Sequence, residues 1–442
     1  MDRPALPPHE LRDPIHGAIA IGALERRVVD HPAVQRLRNI RQLGFSHLPF
    51  PGATHTRFAH SLGAMHLAGR AFDNCFRDQP FSSGSRRRAL RQCVRLAALC
   101  HDIGHAPYSH AAEFAMPPLR DLGITAYRPD RVVSRLNERA HHEDYTVAIL
   151  TLSTLADVIS QSFPFGPEHI ASLVSADVEI DDEFFFDGGF DLRAILSQMV
   201  TGEIDVDRLD YLQRDSYFTG ARYGEVDTNW LLSHLSRVVD EQGRVCLALD
   251  RRALYAFDDF LIARQHMFLM VYFHQKSVGY EELFRRFVVD NADELALPGD
   301  VEAYLETDDS WMWSRLRQSK DPWAQRIVGF RPFKLAFEAH LPPEQCALQQ
   351  RVDALEARGI TALPTSAHGS LLGKVNPGKP RLWCVEQARG QTPITRPIAD
   401  LAANLHSGAD GVTISRIYVA PDDLEGAADV LRTVWEPRRL LP

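Results

Sequence analysis

A chain of 442 residues with 45% hydrophobic side chains can bury a large core, which excludes disorder over most of its length. Its net charge of -9, from 49 basic and 58 acidic side chains, excludes a protein that coats nucleic acid nonspecifically, because that task needs a basic face. A local basic pocket for a phosphorylated small molecule is compatible with the same balance.

Residues 1–12 are Pro-rich and expected to be extended. Asp13-Pro14-Ile15-His16-Gly17 follows, then two helical patterns. The second, Pro32 to Leu43, has Pro at an early helical position and spaces Val34, Leu37, Ile40 and Leu43 in steps of three. Its other face carries Arg36, Arg38, Arg41 and Gln42. Pro49 to Gly52 is a turn, and a helix is expected from Thr56 to Phe76. The run Arg86-Arg87-Arg88 reads as a solvated face in a surface loop before a helix ending at His101. Residues 117–140 read as a loop with a short helix, followed by helices at 142–161 and 167–175. An acidic, aromatic loop spans 181–190, and 191–216 is helical again.

Arg244 to Leu249 alternates as a short strand does, and 251–294 reads as one long helix with a break near Gly279. Beyond residue 300, β-like runs appear at Pro380 to Val385 and Val412 to Val419, and a capped helix is expected from Asp422 to Trp435. The expectation is a mainly α fold, with a helical core over 1–300, a helical connector over 301–349 and a small α/β domain over 350–442. Six cysteines, at 75, 93, 100, 246, 346 and 384, form no CxxC pair and read as buried, reduced thiols of a cytoplasmic protein. The N-terminus lacks an apolar signal core, and no uncharged apolar run reaches the ~18 residues that span a bilayer. No membrane partner is expected.

The most informative stretch is Leu99-Cys100-His101-Asp102-Ile103-Gly104-His105, where an apolar helix delivers a His-Asp pair and then stops. An imidazole nitrogen beside a carboxylate oxygen suits one hard-to-borderline divalent cation. Further ligands are available at His60, near the start of its helix, and at Asp207, within Asp205-Val206-Asp207-Arg208-Leu209-Asp210-Tyr211. Each has an ordinary alternative. His60 can be a satisfied core residue, Asp207 a partner of Arg208 or Arg214, and His101-Asp102 a helix terminus with its cap. Spacing does not bring the four together.

The ordered set Asp13–Gly17, Gln35–Gly44, Pro51–Phe58, His60–Gly63, His101–His105 and Asp205–Tyr211 resembles the HD-domain phosphohydrolase superfamily. Within it, the chain is most similar to the deoxynucleoside triphosphate triphosphohydrolases, bacterial branch. The resemblance covers residues 13–290. It implies an HD-domain helical fold and one divalent transition metal (Mn, Fe, Ni, Co or Zn) on His60, His101, Asp102 and Asp207, with Mg accompanying the substrate phosphates. It implies that His105 and His142 act near the α-phosphorus, with carboxylates at Glu113 and Glu143; a hydrogen bond from Glu113 is expected to orient His105. Arg57 and Arg208 would contact phosphate, Tyr211 the sugar, and Gln42 and Asp215 the 3′-hydroxyl; Lys276 and His274 are weaker phosphate candidates. His110 keeps only a structural claim.

The resemblance also implies a nucleotide substrate, an activating nucleotide and a homo-oligomer, dimer or tetramer. Other HD chemistry (a phosphomonoesterase, a dinucleotide hydrolase or a single-strand nuclease) fits the same ligands, as does a nucleotide-binding regulatory module with little turnover. Ala59 departs from the pattern, which commonly has Glu before the first ligand.

Overall fold

The apolar spacing that predicts a helix at 56–76 produces one at Arg57–Cys75 in the computed structural model, with Phe58, Leu62, Met65 and Phe72 buried. Residues 9–180, 182–369, 381–386, 392–401 and 412–434 are described. The Gly84–Cys100 helix packs along the first; Ser83 Oγ accepts the Arg86 amide at 3.1 Å and caps its start. The Val206–Thr219 helix, capped by Asp205 and ended by Gly220 at φ +74°, lies against Arg57–Cys75 from another side. These three helices carry the three separated motif segments into one place. A single large apolar core, built mostly from helices, surrounds them.

The loop after His101 is laid directly on the start of the His142–Leu152 helix. A Cβ at Gly104 would sit 2.1 Å from the His142 carbonyl oxygen and 2.3 Å from the Thr146 nitrogen. The Thr146 hydroxyl accepts the Gly104 amide at 3.1 Å and donates to the His101 carbonyl at 2.9 Å. Gly104→Ala must push these backbones apart, so a loss of about 1–3 kcal/mol is expected, read from denaturant unfolding.

Several helical runs are shorter than their periodicity predicts. Residues 9–21 form a hairpin, His9–Asp13 with Gly17–Ile21, whose turn is held by Asp13 Oδ1 accepting the Ile15 and His16 amides, each at 2.9 Å. The Pro32–Leu43 pattern is helical only to Asn39, because the Ile40 carbonyl accepts the Arg57 amide at 2.9 Å and the Arg41 amide donates to Asp309 at 3.0 Å. Ser153 splits 142–161 by capping a new helix at Thr154, and Gly202 to Asp205 splits 191–216. The break in 251–294 falls at Phe268–His274 rather than at Gly279. Gly279 stays helical and packs beneath Tyr418, 3.2 Å from where a Cβ would lie. Arg86 and Arg87 belong to the first turns of the Gly84–Cys100 helix and are tied down, Arg86 to the Glu183 and Phe186 carbonyls and Arg87 to Asp73.

The predicted strand at 244–249 is Val245–Asp250, paired with Leu235–Val239. Trp383–Glu386 adds to it in parallel, and Ile394–Pro397 completes a four-stranded sheet. A second sheet, Lys334–Ala339, Val412–Val419 and Ala362–Gly369, packs with the Leu348–Glu356 and Leu424–Val434 helices around a smaller core of its own. Its first strand thus lies inside the segment read as a connector. The predicted strand start at 380 and helix end at 435 lie outside the described residues. All six cysteines are free and buried. Among the described residues, no helix is long and apolar enough to cross a membrane.

Candidate functional site

His60 and His101 turn their Nε2 atoms toward each other at 3.4 Å. Asp207 Oδ1 lies 3.0 Å from the first and 3.4 Å from the second; Asp102 oxygens lie 3.7 and 3.3 Å from them. A tetrahedral ion with bonds of 2.0–2.1 Å holds its ligands about 3.3 Å apart, so the four groups fit one ion. The far side of each ring agrees. His60 Nδ1 donates to Asp210 Oδ2 and His101 Nδ1 to the Ala98 carbonyl, both at 2.8 Å. With both Nδ1 atoms protonated, neutral rings present only lone pairs to the two carboxylates, and a cation must sit among them. Without an ion a proton serves that purpose: burial opposes charge on His60, but hydrogen bonds to Asp207 and Asp210 overcome it and lift its pKa to about 10.

Asp210 is itself fixed by Arg214, whose Nε and Nη2 donate at 2.8 and 2.9 Å, and by His16 at 2.6 Å; Arg214 also bonds Asp13 at 2.8 Å. The Asp13–Gly17 motif therefore acts behind the ligands. Gly63 makes the arrangement possible, since a Cβ there would fall 1.8 Å from Asp210 Oδ1.

Asp102 and Asp207 line a cavity of about 590 Å³, a size typical of small-ligand sites, with His60 and His101 buried behind them. Its walls include Gln42, Arg57, His105, His110, His142, Tyr211 and Asp215. Arg57 donates from Nε to Ser109 Oγ at 2.9 Å and from Nη1 to Asp102. Gln42 Oε1 is buried and has no hydrogen-bond partner. Asp215 accepts from His55 at 2.7 Å and from the Tyr272 hydroxyl at 2.8 Å. The far end is apolar, with Phe268, Phe273 and Val278, and is roofed by Thr365 to Ala367 of the C-terminal sheet. Burial there pushes the Glu281 carboxyl up to about 7.

Not every expected residue converges. Arg208 turns away to Asp205 and the Gly202 carbonyl and does not line the cavity. Glu143 is exposed, outside the lining. Lys276 is exposed, and His274 caps the Gln275–Asp290 helix. Glu113 does not orient His105. Its Oε1 accepts from His142 Nδ1 at 2.8 Å and from His110 Nδ1 at 3.0 Å, while His105 Nε2 faces Asp102 at 3.4 Å. His110, expected to be structural, thus belongs to the same cluster. It reaches there because Tyr108 and Ser109 both take left-handed backbone, φ +57° and +58°, a turn that residue type alone does not announce.

Charge separates the two inner histidines. Burial, then Arg57 and His142, push His105 well below the ordinary histidine range, so it is neutral. Burial opposes charge on His142 as well, but the hydrogen bond to Glu113 outweighs it and raises that pKa.

The family model for the HD domain matches residues 57–215. An uncharacterized protein of Bacillus subtilis, YwfO, is 30% identical over 279 residues, 63% of this chain and 54% of its own. The human deoxynucleoside triphosphate triphosphohydrolase SAMHD1 is 28% identical over 328 residues, 71% of this chain and 51% of its own. The chain spans little more than half the length of these curated relatives. Among solved structures, a hypothetical protein from Aquifex aeolicus superposes with TM-score 0.72 at 25% identity, covering 96% of this chain and all of that one. A phosphohydrolase from Bacteroides thetaiotaomicron shares the fold, with TM-score 0.66 at 23% identity over 93% of this chain and 99% of its own. With the His-Asp cluster at its centre, residues 57–215 match the HD domain, and the chain is similar to deoxynucleoside triphosphate triphosphohydrolases.

Proposed function

We propose that this protein hydrolyses deoxynucleoside triphosphates to deoxynucleoside and triphosphate by water attack at the α-phosphorus. The observation that carries the reading is a cluster of His60, His101, Asp102 and Asp207, whose two carboxylates open onto a cavity with both a cation and proton-transfer groups in its walls. A divalent ion bound there would polarise a phosphoryl oxygen and lower the pKa of water. Arg57 stands on the cavity wall, oriented by Ser109 and Asp102, to meet phosphate charge. Cationic His142, held by Glu113, can give a proton to the leaving 5′-oxygen, and neutral His105 can accept one from the incoming water. Tyr211 lines the cavity and would pack against a sugar ring, and the unpartnered Gln42 amide oxygen would offer an acceptor to a 3′-hydroxyl. The similarity to SAMHD1 favours a deoxynucleotide over the other substrates that an HD site can serve.

Protein loaded with Mn²⁺ and given each of the four dNTPs, with and without an added activating nucleotide, is expected to release triphosphate and nucleoside from at least one. Sedimentation in the same mixtures reads the expected homo-oligomer. Absence of both products under every condition overturns the reading. Tight nucleotide binding without product over hours would instead favour a regulatory binding module.

A further inference from the structure

We infer that His110, Glu113 and His142 form a second divalent-cation site, distinct from the His60–His101–Asp102–Asp207 cluster, and that a borderline ion such as Zn²⁺ binding there inhibits the enzyme. Both histidine Nδ1 atoms converge on one carboxylate oxygen, Glu113 Oε1, at 2.8 and 3.0 Å. Those separations are slightly shorter than the ligand–ligand spacings in the first cluster, 3.0 to 3.7 Å. Two imidazoles and a glutamate are a donor set that zinc takes with a fourth position left open. The rings of His110 and His142 stand at 78° to each other with centroids 5.2 Å apart, so their lone pairs point to a shared apex rather than alongside.

A second observation supports a ligand here. His105 Nδ1 is buried and has no hydrogen-bond partner, although the ring is only 2% exposed and its centroid lies 5.0 Å from that of His110. An unmet buried nitrogen is costly. Together, His105, His110, Glu113 and His142 bring one ligand atom each within 4.8 Å of the others. His105, His110 and His142 line the cavity and Glu113 sits behind them, so a fourth position on an ion held there would open toward the cavity.

The exchange is balanced: the ion replaces the Nδ1 protons that His110 and His142 now donate to Glu113, and those protons go to solvent. His142 then keeps a proton only on Nε2 and Glu113 no longer supports a cationic ring. The inhibition rests on the proposed role of His142 as proton donor; the binding does not.

Metal-free protein titrated with Co²⁺, followed by its visible absorption and by dialysis with elemental analysis, tests the site without substrate. Wild type is expected to take up about two equivalents, and His110→Ala and Glu113→Gln about one. Asp207→Ala, which disables the first site, is expected to keep the second. His110 is exposed and Glu113→Gln is isosteric, so neither variant threatens the fold. Wild type saturating at one equivalent, or Asp207→Ala binding none, overturns the inference. In the activity assay, Zn²⁺ beyond the first equivalent is expected to cut kcat about 10²-fold, reversed by chelator, and to leave His110→Ala markedly less sensitive. Two bound ions with unchanged turnover would retain the site and overturn its inhibitory role.

Discussion

Asp207→Ala is expected to empty the first site of metal and to lower turnover by at least about 10³-fold. One oxygen of this carboxylate reaches both imidazoles, 3.0 Å from His60 Nε2 and 3.4 Å from His101 Nε2. Asp102 cannot replace it, because one of its oxygens is committed to Arg57. Burial disfavours the charged form of Asp207, but His101 and His60 hold it below the usual carboxylate range, so it is ionised and ready to bind at any working pH. Removing it leaves two imidazoles and a carboxylate already shared with a guanidinium. Elemental analysis of the purified variant and a dNTP assay check both halves. A variant that keeps its metal and its turnover removes Asp207 from the site.

Glu113→Gln is expected to cost about 10²-fold in kcat and to move the alkaline limb of the kcat–pH profile to lower pH. Burial disfavours charge on both partners, yet the pair lowers Glu113 and raises His142. The sign follows from which form works. A proton donor at 142 is active below its pKa, so turnover falls as pH rises through that raised value. An amide at 113 keeps the hydrogen bond but removes the charge that supports the cation, so the fall comes earlier. His142→Ala, with no group to titrate, is expected to lose this limb altogether. Profiles of the three proteins at saturating substrate decide it; an unmoved limb in Glu113→Gln would take the His142–Glu113 pair out of proton transfer.

The C-terminal part of the chain has a place in this site that no motif marks. Thr365 to Ala367 come from a strand about 150 residues past Asp215, yet they roof the same cavity. Trp383–Glu386 joins the sheet begun by Leu235–Val239 and Val245–Asp250, and the Leu382 amide donates to Glu203 at 3.0 Å. Strands pair by backbone, so neither partner needs a side-chain signature that a reader of sequence could match.

The residues around His101 show the same division. Apolar periodicity was enough to place the helices that carry His60 and His101, because burial of one face is written every three or four positions. Motif order nominated His60, His101, Asp102 and Asp207, and the fold brings these four side chains together. Helix ends were less legible: the periodic reading ran 191–216 as one helix through the cap at Asp205 and stopped short of Gly220, and it missed the ends at Ile40 and Phe268, where a distant backbone group or a π turn ended the run. What tertiary structure alone decided was direction. It turned both Nε2 atoms inward by pinning both Nδ1 atoms, sent Arg208 to Asp205, left Glu143 exposed, and gave Glu113 to His142 and His110 instead of His105. Sequence names the groups a site can use; which lone pair faces which is fixed by partners as far as 150 positions away, and no local pattern encodes that.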